Sequence, residues 1–182
     1  GLIDPLLETG WDVTVLTRNP TEAVRVLGTR TRTVDDLGDL PEPLPFEAVV
    51  NLAGAPIADR RWTERRKEEL LASRIGVTEA VHQYCDEHGV HPRVLVSGSA
   101  IGYYGDCGDE WIDERRGPGP GFAARLCVEW EAAAQAFEAF GTRVARLRIG
   151  LVFGRGGMLA RLRPVFRLGL GGRLGDGSQY MS

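Results

Sequence analysis

VLVSGSAIGYYG, residues 94–105, is an apolar strand that runs directly into small residues, hydroxyl groups and two tyrosines. In open α/β sheets, ligands bind at the carboxyl ends of the strands. The stretch therefore predicts a ligand site at that edge, with the hydroxyls of Ser97 and Ser99 followed on the loop by Tyr103 and Tyr104. The alternative interpretation is a core strand that ends in a small-residue turn, with the tyrosines half-buried as amphipathic side chains.

On both sides of this stretch, predicted strands alternate with predicted helices. The alternation is typical of βαβ units, and it predicts an α/β fold with a doubly wound parallel sheet. Residues 47–52 (EAVVNL) form an apolar run that predicts a strand buried on both faces. The predicted strands are residues 11–16, 29–34, 47–52, 94–96 and 144–149, and the predicted helices are residues 2–8, 21–27, 63–87, 122–140 and 158–168.

Composition and charge exclude several classes of protein. The 182 residues suit about one domain, and a net charge of −3 lacks the basic footprint of a nucleic-acid-binding protein. No apolar run approaches the roughly 20 residues of a membrane span. Cys85, Cys107 and Cys127 are odd in number and widely spaced, which argues against a disulfide framework or a metal site and predicts a reducing cytoplasm. We expect a small-molecule substrate, no nucleic-acid or membrane partner, and leave a homodimer open.

A basic cluster opens the predicted helix 63–87. Residues 60–67 (RRWTERRK) could form a polyanion site. Glu64, Glu68 and Glu69 are interleaved with the basic residues at spacings that form ion pairs along a helix, so a solvated helix face is the favoured interpretation.

Two further motifs suggest a dinucleotide. In nucleotide-binding sheets the second strand ends beside the adenosine ribose, where an acidic residue binds the 2′-hydroxyl of NAD and an arginine accommodates the 2′-phosphate of NADP. Residues 13–18 (VTVLTR) place Arg18 there, which predicts NADP(H) rather than NAD(H) unless Arg18 is merely a surface residue at a turn. Asn51 to Gly54 (NLAG) follow a strand with small residues that let a cofactor approach the backbone, or form a plain turn. No GxGxxG fingerprint is present.

Several short strings occur along the chain in a distinctive order. They are NLAGAPI (51–57), RRW (60–62), SR (73–74), SGSAIGYYG (97–105), EWEAAA (129–134), LRIGLVFG (147–154) and FRLGLGG (166–172).

Together these strings resemble the NAD(P)-dependent epimerase/dehydratase-like proteins, an atypical branch of the extended short-chain dehydrogenases/reductases often labelled epimerase family protein. The resemblance covers nearly the whole chain. It implies a partial Rossmann-like dinucleotide-binding domain at residues 1–155 and the start of a substrate domain at residues 156–182. It places the first strand and its glycine loop before Gly1 and most of the substrate domain after Ser182, so we expect both ends to be truncated.

Carried over by position, the resemblance also implies which residues contact NADP(H). These are Thr17, Arg18, Leu52, Ala53, Glu69, Arg74 and Val152, to which the small-residue turns add Gly54 and Ser97.

The expected catalytic residues depart from the family pattern. Short-chain dehydrogenases use a serine, a tyrosine as general acid/base and a lysine, the last two at YxxxK in the helix after the serine strand. Residues 121–131 (GFAARLCVEWE) contain neither tyrosine nor lysine. We expect Ser99 to remain as the hydroxyl and Tyr103 or Tyr104 to substitute as acid/base.

The resemblance implies an NADP(H)-dependent oxidoreductase or a sugar-nucleotide epimerase/dehydratase-like enzyme that acts on a small carbonyl or hydroxyl substrate. The absence of YxxxK supports a second hypothesis, a catalytically impaired NADP(H)-binding sensor or interaction protein.

Overall fold

The computed structural model describes residues 1–40, 45–152, 158–173 and 175–178. Within those ranges the chain is a mixed α/β protein with parallel strands, which confirms the predicted fold class. The strands form a two-stranded sheet and a separate three-stranded sheet. Two compact units contain these sheets: Gly1–Phe46 with Gln83–His91, and Glu47–His82 with Pro92–Ser182.

The first unit contains the two-stranded sheet. Its elements are α1 (Ile3–Glu8), β1 (Thr14–Leu16), α2 (Pro20–Leu27), a 3₁₀ turn (Gly28–Arg30) and β2 (Arg32–Val34). Asn19 caps α2, because its side-chain oxygen accepts a hydrogen bond from the Glu22 amide at 3.1 Å. Pro20 at the first helical position has no amide hydrogen to satisfy there. Both strands are shorter than predicted, since the 3₁₀ turn takes up the start of the second.

The second unit contains the three-stranded sheet, in the order β3–β4–β5. Asn51 of β3, Ser97 of β4 and Arg146 of β5 lie side by side in the register. The strands are β3 (Ala48–Asn51), β4 (Val94–Ala100) and β5 (Arg143–Ile149). The helices are α3 (Glu64–Leu71), a π-helical segment (Ala72–Gly76), α4 (Val77–Glu87), which ends in the first unit, α5 (Phe122–Gln135) with a 3₁₀ turn (Ala136–Phe140), and α6 (Met158–Arg167).

The prediction that residues 47–52 are buried on both faces is wrong. Val50 and Leu52 are 43% and 54% exposed, whereas Asn51 between them is buried. Alternate residues point to opposite faces of a strand, so one face of β3 is covered and the other is open. Within the described ranges β3 is also an edge strand, paired only with β4.

The core of the second unit holds α5 close to β4. Leu95 of β4 and Leu126 and Phe137 of the α5 region are almost fully buried, as is Leu70 of α3. Burying one such side chain stabilises the fold by about 2 kcal/mol. Helix α5 is packed against β4, which brings the polar side chains of the helix close to the strand. No helix in the described ranges combines the length and apolar character that crossing a membrane requires.

Candidate active site

The two predicted tyrosines meet at Arg148, a side chain that sequence analysis did not select. Arg148 lies on β5, beside Ser99 of β4 in the register. Its Nη1 donates a hydrogen bond to the phenol oxygen of Tyr104 at 2.8 Å. Its Cζ lies 3.5 Å from the ring centroid of Tyr103, within the range of a cation–π contact. One guanidinium therefore contacts both tyrosines, whose rings stand edge to face with centroids 5.3 Å apart.

Glu131 of α5 holds this guanidinium in place. Arg148 donates from Nε to Oε1 at 2.8 Å and from Nη2 to Oε2 at 2.9 Å, the two-point geometry that fixes an arginine most firmly. Ser99 donates its hydroxyl proton to Oε1 at 2.6 Å. Glu131 and Ser99 are only 4% and 3% exposed. Ser99, Tyr103 and Tyr104 thus belong to one connected cluster, which we call the arginine–tyrosine cluster, with Arg148 and Glu131 at its centre.

The charges of this cluster stabilise one another. Burial raises the pKa of Glu131, but the hydrogen bonds from Arg148 and Ser99 and the positive charges of Arg148 and Arg146 outweigh it, so the net pKa is below its usual range. The hydrogen bonds to Glu131 raise the pKa of Arg148 despite its partial burial. Arg146 adds a second cation, with Nη1 3.9 Å from Oε2 of Glu131. Both members of the central pair are therefore charged at neutral pH.

A backbone contact from a distant loop fixes the position of the tyrosines. After β4, a 3₁₀ turn (Ile101–Tyr103) carries the chain into Tyr104, which is 8% exposed. The amide of Gly119 donates to the carbonyl oxygen of Tyr103 at 2.9 Å. A Cβ at Gly119 would lie 2.2 Å from the carbonyl oxygen of Tyr104, so only glycine fits there.

A second group of contacts fastens the NLAG loop that follows β3. The side-chain oxygen of Asn51 accepts from the Ala53 amide at 3.1 Å, and its Nδ2 donates to the hydroxyl of Thr78 at 2.9 Å. The hydroxyl of Ser73, in the π-helical segment, accepts from the Ala55 amide at 2.9 Å. The loop backbone is thus held by side chains from its own strand and from the helix.

Arg74 supports the same loop. It is 8% exposed and donates to the carbonyl oxygens of Ala55 at 3.0 Å and Leu70 at 3.1 Å. Its guanidinium lies 5.2 Å from the ring of Trp130, and burial lowers its pKa. A Cβ at Gly54 would lie 3.0 Å from Cζ of Arg74. The position of Arg74 suits packing against the loop, a role that the sequence did not suggest.

Part of this loop is exposed, and a buried donor beside Arg74 has no partner among the described residues. Leu52 and Gly54 are exposed at the carboxyl end of β3, so the backbone there is open to a ligand. The buried indole Nε1–H of Trp130 has no hydrogen-bond partner among the described residues. An unsatisfied buried donor of this kind can pair with a group outside the described residues, such as water or a ligand.

Thr17 and Arg18 lie in the first unit, directly after β1. The amide of Thr17 donates to the carbonyl oxygen of Val34 at 2.8 Å, and its hydroxyl accepts from the Asn19 amide at 3.3 Å. Arg18 is exposed and makes no hydrogen bond or ion pair with another described residue. Its guanidinium is therefore available to a ligand.

Glu69 belongs to an ion-pair network centred on Arg66. Arg66 Nη1 contacts Glu69 at 2.8 Å, and Nη2 contacts Asp59 at 2.6 Å. Because Arg66 is only 5% exposed, the prediction of a solvated face is wrong for this member of the basic cluster. The interleaved acidic residues at helical spacing were the correct signal, but Asp59 and the carbonyl oxygen of Pro56 also draw Arg66 inward.

Ser97 and Val152 differ in exposure. Ser97 is fully buried, and its hydroxyl donates to the Gly98 carbonyl at 3.1 Å. Val152 is 62% exposed and precedes residues 153–157, which lie outside the described ranges. Within those ranges, no group of three or more His, Cys, Asp or Glu side chains is arranged to hold a metal ion.

The sequence carried a signal for the residues that were missed. Arg146 and Arg148 occur two apart in a strand, which places both on one face of the sheet. Glu131 is an acidic residue between Trp130 and a run of alanines. A buried acid opposite paired arginines is predictable only once α5 and β5 are known to pack together.

Comparisons with known proteins place this chain in a family. The family model described as "NAD dependent epimerase/dehydratase family" matches residues 1–177. The chain belongs to the NAD-dependent epimerase/dehydratase family. Among curated members, an epimerase family protein of Mycobacterium bovis is 47% identical over 137 residues, covering 75% of this chain and 45% of that protein.

Solved structures of proteins described as epimerases also match the chain. The crystal structure of human epimerase family protein SDR39U1 (isoform 2) with NADPH matches with a TM-score of 0.79 and 33% identity, covering 99% of this chain and 59% of that one. The nucleoside-diphosphate sugar epimerase from Corynebacterium glutamicum matches with a TM-score of 0.65 and 29% identity, covering 96% of this chain and 41% of that one. The chain thus spans only part of the length of the family members it matches.

Proposed function

We propose that this chain carries an NADP(H)-dependent oxidoreductase or sugar-nucleotide epimerase/dehydratase-like activity on a small carbonyl or hydroxyl substrate. The observation that supports this most strongly is the arginine–tyrosine cluster, in which Tyr103, Tyr104 and Ser99 all connect to Arg148 and Glu131. A phenol held against a permanent cation can give up and take back a proton. The cofactor, when bound, accepts or supplies a hydride at its nicotinamide.

In this proposal the chain's own residues bind the substrate and move the proton. Tyr103 or Tyr104 donates a proton to the substrate oxygen in reduction and removes it in oxidation. The Ser99 hydroxyl donates a hydrogen bond to Glu131, and its oxygen keeps a lone pair that can accept a hydrogen bond from a substrate hydroxyl.

We propose NADP(H) rather than NAD(H) as the cofactor because Arg18 presents an exposed guanidinium at the end of β1. The human relative crystallised with NADPH supports this choice. We assign dinucleotide binding to residues 1–155 and the start of the substrate region to residues 156–182. The proposed contacts are Thr17, Arg18, Leu52, Ala53, Gly54, Glu69, Arg74, Ser97 and Val152.

The proposed compartment is the cytoplasm. Cys85, Cys107 and Cys127 are all free thiols, and unpaired thiols are typical of a reducing environment.

Turnover measurements test the proposed activity. The purified protein is incubated with NADPH or NADP⁺ and a panel of aldehydes, ketones, secondary alcohols and nucleotide sugars, and both cofactor absorbance and products are followed. We expect turnover of at least one substrate, with a loss of about 100-fold or more when the working tyrosine becomes phenylalanine. The proposal would be contradicted if the wild type turned over none of these substrates and could not be distinguished from Tyr103→Phe or Tyr104→Phe.

One observation favours a second candidate, an NADP(H)-binding sensor without catalysis. Helix α5 supplies neither the tyrosine nor the lysine of the usual pair. This function predicts NADPH binding without hydride transfer and an association state that changes with NADPH. Sedimentation profiles that are the same with and without NADPH would remove it.

A further inference from the structure

We infer that Arg148 positions Tyr104 as the proton-transferring group. Glu131 holds Arg148 through two hydrogen bonds, and Ser99 donates a hydrogen bond to Glu131. This inference rests on the proposed function and selects between the two tyrosines that it leaves open. Arg148 then takes the part that the lysine takes in the usual tyrosine–lysine pair, but from β5 instead of from the helix. Tyr104 is the catalytic residue in this arrangement, and Arg148 is a positioning residue.

The hydrogen bonds distinguish Tyr104 from Tyr103. Arg148 Nη1 donates to the phenol oxygen of Tyr104 at 2.8 Å, so that oxygen acts as an acceptor and its own proton is free to go elsewhere. The ring of Tyr103 lies closer to the guanidinium, with its centroid 3.5 Å from Cζ against 5.0 Å for the Tyr104 ring. The Tyr103 phenol makes no hydrogen bond with another described residue, so nothing in these contacts prepares it for proton transfer.

The hydrogen-bond partners of the three Arg148 nitrogens support the same assignment. Nε and Nη2 are both committed to Glu131. Nη1 remains for Tyr104, with a weaker contact at 3.4 Å to the carbonyl oxygen of Glu114. Since arginine stays protonated in proteins, the donor that faces Tyr104 cannot be lost by titration of Arg148.

In carbonyl reduction with NADPH, Tyr104 is the proton donor. The substrate carbon receives a hydride from the reduced nicotinamide, and the C=O π bond becomes a lone pair on oxygen. The Tyr104 O–H bond breaks as a new O–H bond forms to that oxygen, which yields the alcohol. A proton from solvent then restores the phenol, and oxidation follows the same path in reverse.

Kinetic coupling tests the inference. We compare Tyr104→Phe, Arg148→Met and the double variant, with Arg143→Met as the matched control because Arg143 is an exposed arginine of the same strand, outside the cluster. We expect Arg148→Met to lower kcat about 100-fold with little change in the KM for NADPH. Because Arg148 acts through Tyr104, the double variant should be no slower than Tyr104→Phe alone. A double variant whose loss of kcat equals the product of the two single losses would overturn the inference.

A spectroscopic readout tests the contact without relying on turnover. In protein labelled with ¹³C at the tyrosine ζ carbon, the NMR chemical shift of Tyr104 should change in Arg148→Met and remain the same in Arg143→Met. The Tyr84 signal serves as an internal reference, since Tyr84 lies in the first unit. An unchanged Tyr104 signal in Arg148→Met would overturn the inference.

Arg148→Lys keeps the experiment decisive if Arg148→Met does not fold. Lysine retains the charge but cannot contact Glu131 at two points, so we expect partial kcat and an unchanged KM for NADPH. Full kcat in Tyr104→Phe, or in any soluble Arg148 variant of an active enzyme, would overturn this inference alone. If the wild-type protein turns over none of the substrates, the proposed function and this role of Arg148 are both removed.

Discussion

Arg148 makes three kinds of contact at once, and each uses a different property of the guanidinium. Its planar fork meets Glu131, its remaining nitrogen meets the Tyr104 oxygen, and its face lies on the ring of Tyr103. A lysine ammonium has neither the fork nor the face. In the inferred arrangement Arg148 therefore supplies, from a strand, the cation that a lysine supplies from the helix in the usual pair.

Replacing Glu131 tests the central ion pair. Glu131→Gln leaves Arg148 without its carboxylate, which should lower the free energy of unfolding by about 3 kcal/mol at neutral pH. The matched control is Glu129→Gln, because Glu129 is an exposed acid of the same helix, paired with Arg125 at 3.6 Å. That change should cost about 0.5 kcal/mol or less.

The pH dependence of the Glu131 effect has a definite sign. The pKa of Glu131 is lowered in the folded state. The ion pair therefore stabilises the fold above the ordinary glutamate pKa, and this stabilisation is lost as pH falls through the lowered value. Urea unfolding of wild type and Glu131→Gln should give stabilities that converge on acidification. A constant gap down to strongly acidic pH would contradict this assignment.

Replacing Arg18 tests whether this side chain makes the protein prefer NADPH to NADH. Arg18→Ala should weaken NADPH binding about 10- to 100-fold, as expected for a lost charged hydrogen bond, and leave NADH binding unchanged. Arg32→Ala is the control, since Arg32 is exposed in the same unit. Titration of cofactor fluorescence measures both affinities, and equal losses for NADPH and NADH would argue against recognition of the 2′-phosphate.

At the scale of elements, β4 extends further than its sequence predicts. Residues 94–96 are β-branched or aliphatic, whereas Ser97 to Ser99 are weak strand formers and predict a turn. Pairing with β3 on one side and β5 on the other continues the strand to Ala100. Strand propensity shows where the apolar part of β4 ends, but it does not predict that the hydroxyls of Ser97 and Ser99 are buried.

Gly98 tests the packing between β4 and α5. A Cβ at Gly98 would lie 2.9 Å from two ring carbons of Trp130, so Gly98→Ala should cost about 1–3 kcal/mol through overpacking. Gly76→Ala is the control, because a Cβ there meets nothing within 4 Å and the residue lies in a helical segment. Thermal unfolding of the two variants measures the difference. Equal stabilities would mean that Trp130 moves aside without cost.

For the whole molecule, the order of strands and helices was enough to predict the class of fold. Alternating patterns require parallel strands with helical crossovers, and the structure has them in both units. The sequence did not indicate that β1 and β2 would form a sheet separate from β3, β4 and β5. Strand patterns report which residues are extended, whereas pairing depends on elements far apart in the chain.

The proposed cofactor site makes a prediction for global stability. A ligand that binds only the folded state stabilises it by about 2.7 kcal/mol at 100 times its Kd. NADPH at that excess should therefore raise Tm by roughly 5–10 °C for a chain of this size. Scanning calorimetry with NADPH, and with NADH as the comparison, measures the shift, and an unchanged Tm with NADPH would contradict cofactor binding by this chain.

The contact between Gly119 and the tyrosine backbone also bears on how family members diverge. It closes the segment between Gly105 and Gly119 at its base, where a Cβ on Gly105 would lie 3.4 Å from Gly119. The middle of that segment is open, with Trp111 fully exposed. Loops closed in this way tolerate insertions and new side chains. Selection can therefore change the sequence and length of this loop while Tyr104 keeps its place beside Arg148.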